Sequence, residues 1–133
     1  MSRLITMHGP EAFFARMGAG PLPALDPAEL ARHMPDAHAM VMASDGSTVG
    51  RCSLWWRETP LLPNERVGIL GHYAAQDAEA GRLLLQRACA HLAGVGCTLA
   101  LGPMDGSTWR HYRLIVDRGG EPPFFLEPDH PAE

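Results

Sequence analysis

The segment from Glu65 to Tyr112 constrains the fold of this chain most, because it holds strand and helix signals in a fixed order. Residues 66–73 are mostly apolar, as a buried strand requires, and apolar residues recur through 77–93 at the spacing of an amphipathic helix. Glycines at 94 and 96 end that helix, and residues 97–101 form a second apolar strand. This order predicts a crossover between parallel strands. The backbone N–H groups at the start of such a helix favour an anionic ligand.

The residues before this segment predict antiparallel strands. The Asp45-Gly46 dipeptide is typical of a hairpin turn between two apolar stretches. The sequence from Asp26 to Glu29 has the pattern of a helix N-terminus, and that short helix should end before Pro35. We therefore predict an α+β fold, a mixed and mostly antiparallel sheet flanked by helices. Besides the elements named above, we expect strands at 3–7, 38–43 and 47–58 and a helix at 10–17.

Composition excludes several classes of protein. The chain has 133 residues, the size of one domain, and a formal net charge of −4, which argues against nucleic-acid binding. No apolar run approaches the roughly 20 residues that span a membrane, and the N-terminus has no apolar core of a secretory signal. The three cysteines are far apart and form no CxxC pair, which favours a reduced, cytoplasmic protein.

The spacing of metal-ligating residue types predicts no metal site. The seven histidines include no HxxxH or HxH pair. Cys89 and His91 are two residues apart in the predicted helix, and side chains at that separation do not face each other.

The order of elements resembles that of the GNAT N-acetyltransferase superfamily. The elbow between the strand and the main helix, residues 76–81, matches the family's pyrophosphate-binding elbow at Gln76 and at Gly81, whereas Glu79 stands where the family has glycine. With the run from Gly102 to Ser107, the chain is similar to a bacterial GNAT-like subset whose elbow is degenerate. The resemblance implies that acetyl-CoA, or another acyl-CoA, contacts Gly68, Leu70, Gln76, Ala80, Gly81 and Arg82.

The resemblance also implies catalytic residues. The family often has Asn after the second strand and Tyr seven residues later, and here Asp105 and Tyr112 hold those positions. Tyr112 would donate a proton to the CoA thiolate, because a phenol of pKa about 10 can protonate a thiolate of pKa about 8.5. His72 would accept a proton from the attacking amine, with Glu58 and Glu65 as alternative bases. The implied activity is transfer of an acetyl group from acetyl-CoA to a small amine.

The resemblance covers residues 1–116 and leaves a domain at 1–118 and a Pro-rich tail at 119–133. A full GNAT domain has two further strands, for which the tail is too short, so we expect a fold trimmed at its C-terminal end. An unpaired sheet edge is a template for pairing, so a homodimer or a partner chain is expected to complete the sheet. The alternative to an enzyme is a non-catalytic GNAT-like module for dimerisation or partner binding.

Overall fold

The computed structural model describes residues 3–7, 9 and 21–106, with backbone alone for 3–7. Three predicted parts of the chain lie outside the described residues. They are the helix at 10–17, residues 108–116, whose pattern fits either a helix or a strand, and the tail at 119–133. In chain order the elements are β1 (Arg3–Met7), α1 (Pro27–His33), β2 (Ala37–Met42), β3 (Thr48–Trp55), β4 (Val67–Ala75), α2 (Ala78–Gly94) and β5 (Leu99–Leu101).

The strands form one sheet in the order β1-β2-β3-β4-β5. The first three neighbouring pairs are antiparallel, and β4 pairs with β5 in parallel through the crossover helix α2. The predicted α+β fold with a mixed, mostly antiparallel sheet is therefore confirmed for the described residues. In this part of the chain no helix is long and apolar enough to cross a membrane.

The predicted hairpin turn joins β2 to β3. Gly46 has a φ of +87°, which glycine adopts at little cost. The Asp45 carboxylate accepts hydrogen bonds from the hydroxyl and the backbone N–H of Ser47, at 2.6 and 2.8 Å. These bonds stabilise the charged carboxylate, so they lower the pKa of Asp45, the Ser47 hydroxyl contributing most.

One face of the sheet, here called the α2 face, packs against α2. Asp77 caps that helix by accepting from the N–H of Ala80 at 2.8 Å. Successive turns of α2 then bury apolar residues against side chains of β2, β3 and β4, as the 3.6-residue stripe predicted. The helical residues buried in this core are Ala80, Leu84, Ala88 and Leu92.

The opposite face, here called the α1 face, carries α1. Asp26 caps α1 and Pro27 begins it, as the sequence predicted, and Met34 ends it in a left-handed conformation with φ of +48°. Side chains alternate along β3 and on to the next residue, so Trp55 points to the α1 face while Trp56, just after the strand, packs on the α2 face. The indole Nε1 of Trp55 donates to the backbone oxygen of His33 at 2.8 Å and fixes the end of α1 over the sheet.

A bulge interrupts the pairing of β3 with β4. Arg51 is opposite Ala74 and Ser53 is opposite Gly71, so the two residues His72 and Tyr73 share the space opposite Cys52. His72 takes a φ of +48°, which is uncommon for a residue with a side chain. The bulge sends the ring of His72 to the α1 face and that of Tyr73 to the α2 face.

Candidate functional site

A cleft of about 1450 Å³ lies at the end of the sheet where β4 extends beyond β5. The loop before α1, the end of β4, the start of α2 and the turn after β5 line it. The lining includes five of the residues predicted from the sequence, which are Leu70, His72, Gln76, Gly81 and Arg82.

Of the other predicted residues, Gly68 and Ala80 are described and do not line this cleft. A Cβ placed on Gly68 would lie 2.8 Å from a methyl carbon of Leu92 and 3.1 Å from the Cys97 sulfur, so this glycine allows α2 to approach β4 closely. Ala80 is buried in the core beneath α2. Tyr112 lies outside the described residues.

The elbow at the start of α2 is closed by the chain's own groups. The Asp77 carboxylate occupies the position at which an anion would bind, because it already accepts from the N–H of Ala80. A Cβ on Gly81 would lie 2.6 Å from the hydroxyl oxygen of Tyr73, so the missing side chain makes room for that tyrosine. A pyrophosphate at this elbow therefore has to share the helix start with a carboxylate.

Arg51 places a cation on the wall of the cleft. Its side chain is buried, and its guanidinium donates to the backbone oxygen of Pro23. Among the described residues no carboxylate lies within ion-pair distance of it, and its Nε has no hydrogen-bond partner. Burial lowers the pKa of Arg51 to about 10, which still leaves it protonated at neutral pH.

A chain of polar side chains crosses the α1 face. Ser53 Oγ lies 2.9 Å from Nδ1 of His38 and 2.9 Å from Nδ1 of His72. Nε2 of His72 lies 2.7 Å from Nδ1 of His33, whose Nε2 is 3.8 Å from the Glu29 carboxylate. The chain thus runs from the exposed Glu29 to the fully buried His38.

The two histidine rings of this chain lie edge to edge. Their planes differ by 12° and their centroids are 5.0 Å apart, while the facing nitrogens are only 2.7 Å apart. Such a short separation between nearly parallel rings is possible only when both lie in about the same plane, as an N–H···N bond requires. The Trp55 ring packs against His72, with centroids 5.3 Å apart, and holds its orientation.

The segment after β5, Gly102–Asp105, runs along β4 beyond the paired residues. The N–H of Met104 donates to the oxygen of Leu70 at 2.8 Å, and the Asp105 carboxylate accepts from the N–H of His72 at 2.7 Å. A Cβ on Gly71 would lie 2.0 Å from the Met104 oxygen, so only glycine permits this approach. The resemblance placed Asp105 where the family often has Asn. In the structure its carboxylate holds the bulge of β4 in place.

Among the described residues, three of metal-ligating type meet at this point. One ligand atom from each of His33, His72 and Asp105 lies within 4.8 Å of the others. They come from the end of α1, the bulge of β4 and the segment after β5, so no local spacing in the sequence reveals them. His72 and Asp105 were singled out from the sequence, whereas His33 was missed.

Comparison of the chain with protein-family models, with curated proteins and with solved structures found no match. The GNAT resemblance therefore depends on the order of elements and on the residues quoted for it.

Proposed function

We propose that this chain is a GNAT-like protein that binds an acyl-CoA in the cleft and transfers an acetyl group from acetyl-CoA to a small amine. The observation that carries this proposal is the buried cation Arg51 on the wall of a cleft that also contains the elbow residues Gln76, Gly81 and Arg82.

A buried guanidinium without a carboxylate is costly for a folded protein, because burial removes water that would otherwise solvate the charge. Such a group is expected to have an anionic partner in the functional state. A CoA ester carries phosphates, which a guanidinium binds through two parallel hydrogen bonds. Arg82, exposed at the mouth of the cleft, adds a second positive charge near the elbow.

The proposed chemistry uses His72, which lines the cleft. The amine nitrogen attacks the thioester carbonyl, the carbon–sulfur bond breaks, and the thiolate leaves. His72 accepts the proton that the amine loses, and its neighbours His33 and Glu29 lead from this ring towards solvent. Tyr112, in the role that the resemblance implies, returns a proton to the thiolate.

Calorimetric titration with acetyl-CoA tests the proposal. We expect saturable binding by the wild type and at least a tenfold weaker affinity for Arg51→Met, because the phosphates lose their buried partner. Arg87→Gln is the matched control, since Arg87 is exposed on α2 and does not line the cleft. No heat and no thermal shift with millimolar acetyl-CoA would end the proposal.

A second variant tests whether the phosphates lie at the elbow. Asp77→Asn keeps a side chain that can cap α2 but removes the negative charge. Affinity for acetyl-CoA should therefore rise several-fold, while Asp45→Asn, at the distant hairpin turn, should leave it unchanged. An equal effect of the two substitutions would contradict the elbow as the phosphate site.

The second candidate is a non-catalytic module that pairs with another chain. Three contacts favour its non-catalytic character, because the chain's own groups fill the space that a cofactor would need: Met104 and Asp105 each bond to the β4 backbone, and the Tyr73 hydroxyl fills the space at Gly81. Mass measurement in solution, combined with the titration, separates the candidates. A homodimer that binds no CoA supports the module, and a monomer that binds acetyl-CoA excludes it.

A further inference from the structure

We infer that His33, His72 and Asp105 form a binding site for one divalent first-row transition metal ion, with Zn²⁺ as the ion that best suits the donors. The inference does not depend on acyl-CoA binding. It runs against the expectation of no metal, which considered only neighbours in the sequence.

The donor set suits such an ion. Two imidazole nitrogens and one carboxylate oxygen are ligands that Zn²⁺ and its neighbours accept, whereas Mg²⁺ and Ca²⁺ prefer oxygen ligands alone. The three ligand atoms lie within 4.8 Å of one another. Zn–N bonds of about 2.0–2.1 Å at tetrahedral angles place two nitrogens roughly 3.3 Å apart. The facing nitrogens of His33 and His72 are now 2.7 Å apart and point at each other. To bind the ion they would lose the shared proton and move apart, and each ring would turn until its lone pair points at the metal.

His72 has a hydrogen-bonded outer partner of the kind that orients metal ligands, and His33 has a carboxylate at ion-pair distance. Nδ1 of His72 lies 2.9 Å from the Ser53 hydroxyl, which leaves Nε2 to face His33. The second nitrogen of His33 faces the Glu29 carboxylate at 3.8 Å. A carboxylate or hydroxyl on the far nitrogen fixes the tautomer and the ring orientation of a ligating histidine.

The surrounding fold holds the three donors in place. The bulge gives His72 its φ of +48°, an uncommon backbone conformation of the kind that clusters at functional sites. Trp55 packs against the His72 ring and bonds to the His33 backbone, and the Asp105 carboxylate is positioned by the His72 N–H. Three elements distant in sequence are thus fixed to one point.

With the three described ligands alone, the site would keep a coordination position open. Three protein ligands are typical of catalytic zinc, whereas structural zinc usually has four. His72 and Asp105 both line the cleft, so the open position would face it. A bound metal would use the lone pair of His72 Nε2, so the same ring cannot be a ligand and the proton acceptor of an amine at once.

Metal titration of the untagged, chelator-treated protein tests this inference. We expect the protein to bind one equivalent of Zn²⁺ with a dissociation constant in the micromolar range and to bind no Mg²⁺. Co²⁺ should give visible absorption bands of a nitrogen- and oxygen-ligated ion. An intense thiolate-to-cobalt band would assign the metal to a cysteine and overturn the inference, as would the absence of saturable uptake.

Variants assign the ligands. His33→Gln and Asp105→Asn should each weaken Co²⁺ binding by more than tenfold; Asp105→Asn keeps an acceptor for the His72 N–H. Glu29→Gln should weaken it by about tenfold, the lower end for outer-shell partners. His91→Gln is the matched control, because this histidine contacts Trp56 on the α2 face, away from the site. This variant should bind the metal as the wild type does. Wild-type affinity in His33→Gln would overturn the assignment.

One measurement needs no variant. In NMR spectra of the histidine ring nitrogens, Zn²⁺ should shift Nδ1 of His33 and Nε2 of His72, and leave His91 unchanged. A shift confined to other histidines would contradict the site even if the protein takes up one ion.

Discussion

The two faces of the sheet are both covered, yet they are built from different residues. Every residue of β3 is buried. On the α2 face its side chains are apolar, as in Cys52 and Leu54, and they pack against α2. On the α1 face the same strand carries Arg51 and Ser53, which contact backbone oxygens and histidine rings.

This contrast separates stability from function. Burial of apolar area stabilises the fold wherever it occurs, whereas a buried cation or a buried histidine chain contributes little net free energy. The larger apolar core lies on the α2 face, and a smaller apolar cluster consists of Trp55, Val67 and Ile69. We therefore expect the polar groups of the α1 face to contribute less to stability than the apolar core does, and the following changes test that expectation.

The largest expected effect is on the α2 face. Leu84 is fully buried, and Leu84→Ala should lower the free energy of unfolding by about 2–5 kcal/mol through lost burial and a cavity. On the α1 face, Arg51→Met should leave the free energy of unfolding unchanged or raise it by about 1 kcal/mol, because an apolar side chain replaces a buried charge. Urea unfolding measures both, and equal losses would mean that Arg51 serves the fold.

The next effect concerns the segment after β5. Gly71→Ala puts a methyl group onto the Met104 oxygen and should cost about 1–3 kcal/mol, because backbone has to move. Gly94→Ala is the matched control, since nothing lies within 4 Å of its Cβ and alanine favours the helix by about 0.5–1 kcal/mol. The unfolding temperature should fall in Gly71→Ala and rise in Gly94→Ala. An unchanged unfolding temperature in Gly71→Ala would show that the segment after β5 does not contact β4 closely at this residue.

A smaller effect distinguishes two roles for Gly81. If this glycine makes room for the Tyr73 hydroxyl, Gly81→Ala should cost about 1 kcal/mol, and Tyr73→Phe should recover most of that loss. A double-mutant cycle by urea unfolding measures the coupling. Additive effects would instead separate the glycine from the tyrosine and favour a ligand as the reason for it.

The smallest effect lies at the hairpin turn, which belongs to neither face. Ser47→Ala removes the hydroxyl that contributes most to the lowered pKa of Asp45, so that pKa should rise towards 3.8. A carboxyl whose pKa is lower in the folded state than in the unfolded state stabilises the folded protein at pH values above its unfolded pKa. This contribution disappears as the pH falls through the folded pKa. NMR titration of the carboxyl carbon measures it. Ser47→Thr keeps a hydroxyl and should keep the pKa of Asp45 low. If the pKa rises in this variant too, the side-chain hydroxyl is not its main cause.

Most of the fold could be predicted because its signals are local. The turn at Asp45-Gly46, the cap at Asp26 and the apolar stripe ending at Leu92 are each encoded within a few residues. The bulge at His72 has only a weak local signal, since a glycine within a strand, here Gly71, marks a bulge in some strands and not in others. It arises because the segment after β5 approaches β4, which only the tertiary structure decides.

The candidate site was predictable only in part for the same reason. The resemblance singled out residues near the cleft, but it gave no role to Arg51, whose burial depends on the loop before α1. His33 is 39 positions from His72, and Asp105 is 33 positions beyond that histidine. Residues so far apart meet because β4 lies between α1 and the segment after β5, and spacing rules consider only close neighbours.

Because the His72 amide donates to the Asp105 side chain and not to a neighbouring strand, its hydrogen-exchange rate reports a different motion from that of the other sheet amides. Amide hydrogens in a sheet exchange with solvent when neighbouring strands separate, which is slow in a stable core. The His72 amide is released when a single carboxylate turns away. Its exchange rate therefore measures how often Asp105 leaves its position, while the amides of β3 measure the opening of the sheet. One backbone proton thus reports the time course of events in the cleft separately from the unfolding of the protein.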